Sequence, residues 1–382
     1  MIANLDYASL QQLWWIIISI VGSLFLFLTF VQGGQTLLWQ VAETDIEKSL
    51  IVTSLGRKWE MTFTTLVLFG GALFAAFPKF YATSFGGAYW VWMIILFSFI
   101  VQAVSYEYRK KQNNLLGSGV YDFFLLLNGV IGVLLIGAAV GTFYTGSNFT
   151  LDMYNKVTWN YTLLGINLRG LEAAFSLFNL SLGIFLVFNA RVLGASYLLN
   201  SIDFSSNSGL ESRLRKKVWN NFLISLPFLL YVLVSLVVMK GFSVDKAGMV
   251  SLVPFKYLSN LLSMPYLIVL LLAGILLVLY GVLINSFKNN NRGIWFNGLG
   301  TVFVGLVVLC LPAFNATAFY PSKLDLQSSL TIYNASSSMF TLTTMTYVAI
   351  GIPFILAYIV YVWKLMDAKK LSAEEVTNEK SY

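Results

Sequence analysis

Uncharged apolar runs of 17–21 residues recur along the whole chain, and that repetition leaves few ways to fold. An α-helix rises 1.5 Å per residue, so about 20 residues cross the roughly 30 Å hydrocarbon core of a bilayer. Nine such runs are present, at 13–31, 61–77, 88–105, 123–143, 173–190, 222–239, 266–284, 294–311 and 343–362. In lipid each run must satisfy its own backbone hydrogen bonds, which a helix does. A membrane barrel would instead show alternating segments of about ten residues, and the sequence has none. The expectation is an all-α, polytopic membrane protein with nine transmembrane helices.

Composition narrows the function. Of 382 residues, 58% are hydrophobic and 11% charged, against about 45–50% and about 25% in soluble proteins. A soluble enzyme, a disordered chain and a nucleic-acid binder are excluded, even at a net charge of +7. The basic residues read as a topology signal. With nine spans, seven of the 24 lie on the side of the N-terminus: Lys79, Lys156, Arg169, Lys240, Lys246, Lys256 and Lys323. The other 17 lie opposite, among them Arg109-Lys110-Lys111 and Arg213, Arg215, Lys216 and Lys217. The more basic side is expected to be cytoplasmic, with the N-terminus outside and the C-terminus inside a bacterial cytoplasmic membrane. Residues 1–363 read as one transmembrane domain, and 364–382 as a charged, solvated cytoplasmic tail. No cleavable leader is expected.

The chain has no histidine and one cysteine, Cys310. It therefore offers no imidazole ligand or His base, no Cys-based metal cluster and no internal disulfide. Any redox centre is expected elsewhere. Ionisable groups at span edges are the candidates, because burying them is costly. They are Glu60, Glu107, Asp122 and Glu172, the first three on the basic side. Glu60 follows Trp59 at the start of the second span. A helix-dipole cap there contributes about 0.3–1 kcal/mol; the alternative is a proton-accepting carboxylate at the mouth of a path. Glu107 is placed to pair with Arg109, and Asp122 to cap the fourth span. The small residues of 70–78 and the Gly137/Gly141 pair suit close helix packing, within the chain or against a partner.

Trp59-Glu60 followed by Gly70-Gly71-Ala72-Leu73-Phe74-Ala75-Ala76-Phe77-Pro78-Lys79-Phe80 resembles subunit II of the bacterial cytochrome bd quinol oxidases. The resemblance returns at Tyr106-Glu107-Tyr108-Arg109 and at Ser329-Leu330-Thr331-Ile332-Tyr333-Asn334-Ala335-Ser336-Ser337-Ser338, and includes the Leu13-Trp14-Trp15 start. It implies a partner subunit I that holds haem b, haem d and the quinol site, with none ligated by this chain. It implies electrons from the membrane quinol pool, dioxygen reduced to water and protons drawn from the cytoplasm. It also allows a structural quinone and small accessory subunits. By this resemblance Glu60, beside Trp59, matches a carboxylate of the proton path; Glu107, Arg109 and Asp122 are weaker candidates. The chain departs from relatives at Gln32-Gly33-Gly34-Gln35, where an Asp-Gly-Phe-Asp-like stretch is common, and at Asn334, where the family has Asp.

Two alternatives stand beside this reading. A secondary transporter needs a midplane site at broken helices and inverted repeats, neither of which the sequence displays. A purely structural assembly subunit predicts that Glu60 is replaceable.

Overall fold

The computed structural model describes residues 5–111, 114–205, 208–288 and 290–377. Asp6 accepts the Ser9 N–H at 3.3 Å and so caps α1 (Tyr7–Leu28). At Thr29 the hydroxyl donates back to the Leu26 carbonyl at 2.6 Å, and the apolar stretch continues as α2 (Phe30–Gln35). The short α3 (Leu38–Val41) leads to α4 (Asp45–Gly56), which opens in a reciprocal Thr44/Glu47 capping box. The chain returns through α5 (Trp59–Ala76), turns at α6 (Pro78–Tyr81) and runs back as α7 (Tyr89–Tyr108). Helices α8 (Ser118–Leu127) and α9 (Val133–Thr145) form one stretch interrupted by a π-helical turn at Asn128–Gly132. Next come α10 (Leu177–Ser201), α11 (Ser208–Val238), α12 (Lys256–Ser263), α13 (Pro265–Phe287) and α14 (Gly293–Cys310). The chain closes with α15 (Met339–Ala349), α16 (Ile352–Met366) and α17 (Ala373–Thr377).

Among the described residues, eight stretches are long and apolar enough to cross a membrane, and α15 with α16, bent by 41°, makes a ninth if taken as one. The bent pair runs beside α5. At one end the Ser337 N–H donates to the Ala76 carbonyl at 2.8 Å. At the other, Lys58 Nζ lies 3.0 Å from Asp367 Oδ1. The 18 residues of α5 span about 27 Å. Helix α16 is apolar yet buries no residue within the chain, which suits a helix whose solvent is lipid. The molecule is a polytopic helical membrane protein.

Helix α10 is the most enclosed, and glycines let its neighbours approach. A Cβ on Gly33 would fall 1.8 Å from the Ala190 carbonyl oxygen, and one on Gly194 would fall 2.2 Å from the Gly34 nitrogen. The Gly137/Gly141 pair sets α9 against Gly183 and Asn179 of α10 in the same way. The run at 70–78 differs: nothing lies within 4 Å of a Cβ on Gly71. The Gly137/Gly141 motif packs inside the chain, whereas in the other Leu73, Ala76 and Phe77 are buried and Gly71 faces open space.

Outside the helices the connections add three short hairpins to this helical fold. Between α9 and α10, β1 (Phe149–Leu151) pairs with β2 (Val157–Trp159), and β3 (Thr162–Leu163) with β4 (Ile166–Asn167). Between α11 and α12, β5 (Gly241–Val244) pairs with β6 (Val250–Val253). Bridges Ser147–Ser322 and Ser243–Thr317 stitch these hairpins to the loop after α14. Long connections that pack on one another must still satisfy their amides, and short antiparallel ladders do so. Tyr7 Oη donates to the Ser337 carbonyl at 2.7 Å, which fixes the start of α1 on this capped face.

The tail is also not simply solvated. Leu371 and Val376 are buried. The Leu371 N–H donates to the Ser201 carbonyl at 2.9 Å, and Arg57 sits 3.7 Å from Glu375. The last five positions, 378–382, lie outside the described residues.

Candidate functional site

Trp59 and Glu60 open α5. The Trp59 indole is buried and stacks on Tyr106, with centroids 5.8 Å apart and planes at 11°. Successive helical residues point about 100° apart, so burying Trp59 turns Glu60 outward. Its carboxylate is exposed and makes no ion pair among the described residues. Glu107, directly after Tyr106, is exposed likewise. Behind them Lys58 is fully buried, held by Asp367 and lying 4.6 Å from the centre of the Trp363 ring.

Arg109 does not pair with Glu107. Its Nε donates to Asp122 Oδ1 at 2.6 Å and its Nη2 reaches Oδ2 at 3.4 Å, with both side chains buried. Residues two apart on a helix face different directions, whereas Asp122 arrives from the next helix. Asp122 therefore caps nothing: it lies inside α8, and each charge neutralises the other. Glu172, on the capped face, accepts the Gly170 N–H at 2.9 Å and an Asn148 amide at 3.3 Å, a turn-holding role.

Attention to ionisable groups alone misses a row of buried neutral polar side chains. Gln35 Nε2 donates to Tyr106 Oη at 2.8 Å. Gln32 Nε2 reaches Gln102 Oε1 at 3.4 Å, and Asn128 Nδ2 reaches Ser98 Oγ at 3.3 Å. All six are buried, and Gln32 Oε1, Gln35 Oε1, Gln102 Nε2, Asn128 Oδ1 and Trp59 Nε1 keep unused hydrogen-bonding capacity. Buried polar atoms are paired in the great majority of cases, so five in one row mark a specialised interior. The row runs from the Trp59–Tyr106 stack to the π-turn, where Gly129 and Gly132 crowd the Gln32 carbonyl and the Ser98 hydroxyl too closely to admit a Cβ. The sequence signal is partial: Gln102 and Asn128 are amides inside apolar runs, whereas Gln32 and Gln35 lie just past the end of one.

Residues 10–366 match the family described as cytochrome bd terminal oxidase subunit II. The chain belongs to that family. It is 26% identical to the cytochrome bd-I ubiquinol oxidase subunit 2 of Escherichia coli K12 over 395 aligned positions, which cover 97% of this chain and 98% of that one. The cytochrome bd ubiquinol oxidase subunit 2 of Bacillus subtilis 168 is 28% identical over 147 positions, 38% of this chain and 44% of that one. A chain from the structure of bd oxidase from Geobacillus thermodenitrificans shares the fold, with a TM-score of 0.59 at 14% identity over 94% of this chain and 99% of that one. The protein is thus a bd-type subunit II, one part of a multi-subunit quinol:oxygen oxidoreductase complex that contains haem.

Haem axial ligands come from His, Met, Cys or Tyr, and of these the chain lacks histidine. Cys310 is buried in the packed core beside Trp15 and Leu309. A cavity of about 330 Å³ between α10, α11, α13 and α14 is lined by none of the four ligand types. Among the described residues no three of His, Cys, Asp or Glu group as a metal site.

Proposed function

We propose that this chain is the haem-free, proton-admitting subunit of a bd-type quinol oxidase in a bacterial cytoplasmic membrane, with the haems b and d held by a partner subunit I. Two quinols release four electrons and four protons; one dioxygen takes four of each to become two waters. Where the consumed protons enter determines whether the cycle moves charge across the membrane, and the role assigned to this chain is that intake.

One observation carries the reading: an exposed carboxylate, Glu60, with no ion pair among the described residues, stands beside the Trp59–Tyr106 stack, and the buried amide row begins behind that stack. Glu60 accepts a proton from water at the face bearing the larger share of the basic residues. Gln35, Gln32, Gln102 and Asn128 offer both donors and acceptors to a hydrated chain leading inward. Amides do not ionise near neutral pH, so they orient this chain while the carboxylate loads it. Glu107 adds negative charge at the same mouth. The Arg109–Asp122 pair holds α7 and α8 together and carries no proton.

The topology of this proposal has nine spans, the basic face in the cytoplasm and the N-terminus outside. The course of 339–366 alongside α5 and the 17-to-7 division of basic residues support it. The exposed apolar faces of α13 and α16 meet lipid or the partner subunit. The family resemblance also allows accessory subunits and a structural quinone.

The test compares Glu60→Gln with Glu60→Asp in assembled complex of equal haem content. Loss of a proton-transfer group should slow oxygen uptake by about tenfold or more in the Gln variant, with most activity kept in the Asp variant. Unchanged turnover in Glu60→Gln would leave the residue a helix cap.

A further inference from the structure

Lys58 and Asp367 each stand at the wrong end of a helix for their charge. Lys58 is the N-cap of α5, where no side chain caps the helix, and Asp367 is the C-cap of α16. Helix N-termini favour anions and C-termini favour cations, and the side chains preferred at an N-cap are those of Ser, Thr, Asp and Asn. Lys58 is also fully buried, and the Asp367 side chain is only 15% exposed. The two charges meet across the helix ends, with Nζ 3.0 Å from Oδ1 and 4.6 Å from the centre of the Trp363 ring. Neither forms another ion pair among the described residues. A buried cation is costly to keep unless an anion meets it, and for Lys58 that anion is Asp367.

What depends on this contact is the first turn of α5. Three successive residues there are gripped from outside the helix: Arg57 lies 3.7 Å from Glu375, Lys58 meets Asp367, and Trp59 stacks on Tyr106. The fourth, Glu60, is exposed. Asp367 is itself fixed on both sides. Helix α16 precedes it, and four residues on the buried Leu371 donates its N–H to the Ser201 carbonyl at 2.9 Å. The segment after α16 therefore reaches the start of α5 from a rigid base.

We propose that Asp367 is a positioning residue for proton intake. By holding Lys58 inside, it sets the rotation of the first turn of α5 and with it the place of the Glu60 carboxylate. Without the Asp367 charge the ammonium has to leave the interior for water, as long lysine side chains do. The turn that carries Trp59 and Glu60 then moves with it. The pair acts as fixed charge, and no proton passes through it. This inference rests on the intake role given to Glu60.

The test uses assembled complex of equal haem content. Asp367→Asn should slow proton uptake by about tenfold and speed amide hydrogen exchange over 57–62, with the interior of α5 unchanged. Asp367→Glu, which keeps the charge, should retain most of the rate. Lys58→Met with Asp367→Leu should recover it, because an apolar side chain needs no anion to stay buried. Lys369→Gln, which alters an exposed cation on the same segment, should match wild type. If Asp367→Asn does not assemble, the double variant decides: a rate near wild type supports the inference and a slow one overturns it. A lower melting temperature with normal uptake and exchange in Asp367→Asn also overturns it. Slowing in Glu60→Gln but not in Asp367→Asn defeats this inference alone; normal uptake in both defeats the reading of Glu60 as well.

Discussion

Trp59 of α5 and Tyr106 of α7 lie face to face, 5.8 Å between centroids, and each is followed by an exposed glutamate, Glu60 and Glu107. The stack fixes how these two helix ends are rotated. With the rings turned inward, both carboxylates face outward at one end of the molecule. Behind the same rings, Tyr106 holds Gln35 and so joins the surface carboxylates to the buried amides.

The division of labour predicts that the chain does not hold its own haem. Tagged chain purified after co-expression with a haem-bearing subunit I should bring haem absorption with it; purified alone, it should be colourless. An absorption spectrum of each preparation decides. Haem bound to the isolated chain would contradict the account.

Arg109 and Asp122 form a buried pair, so removing one partner leaves an uncompensated charge. Asp122→Asn should lower stability by about 3–5 kcal/mol, and the double change Arg109→Met with Asp122→Leu should recover most of it. Thermal denaturation of the solubilised complex measures both. Oxygen uptake per assembled complex should be unchanged in the double variant, because the pair lies off the proton route.

Two glycines should respond oppositely to the same methyl group. Gly33→Ala forces a carbon into the Ala190 carbonyl and should cost about 3 kcal/mol or prevent assembly. Gly71→Ala meets open space within the chain and should leave its stability unchanged. If Gly71→Ala weakens only the complex, the open space at Gly71 lies against the partner. Melting temperature and co-purification yield separate these outcomes.

On the capped face, burial pushes the Tyr320 phenol up to about 12, with the Ser84 and Ser147 hydroxyls holding it back and Glu172 adding to the rise. An unfolded tyrosine ionises near 10. Below pH 10 both states are neutral, so there is no pH dependence. Between pH 10 and 12 only the unfolded state loses its proton, and stability falls by about 3 kcal/mol across that window. Denaturation against pH should show a slope in Tyr320→Phe that is shallower than in wild type by this contribution.

The membrane helices were legible because lipid demands long uncharged runs, and the eight crossing stretches lie on runs visible in the sequence. The hairpins were not: their strands are two to four residues long, too short for an alternating pattern. The partner of Arg109 was misread because closeness in sequence favoured Glu107, and helical geometry separates residues two apart. Gln102 and Asn128 carry no charge and so do not stand out in the sequence, and Gln32 reads there only as a departure from relatives; their burial, which makes them costly, appears only in three dimensions. Arg191 reads as a span boundary in the sequence, and only the fold reveals that its hydrogen-bond acceptors are neutral.

The central claim is that protons enter through Glu60, and proton uptake tests it most directly. With the oxidase reconstituted in vesicles, a pH-sensitive dye on the side bearing Glu60 follows proton consumption when oxygen is added to the quinol-reduced enzyme. The account predicts uptake slowed by about tenfold or more in Glu60→Gln and largely kept in Glu60→Asp. Equal rates in wild type and Glu60→Gln would contradict it.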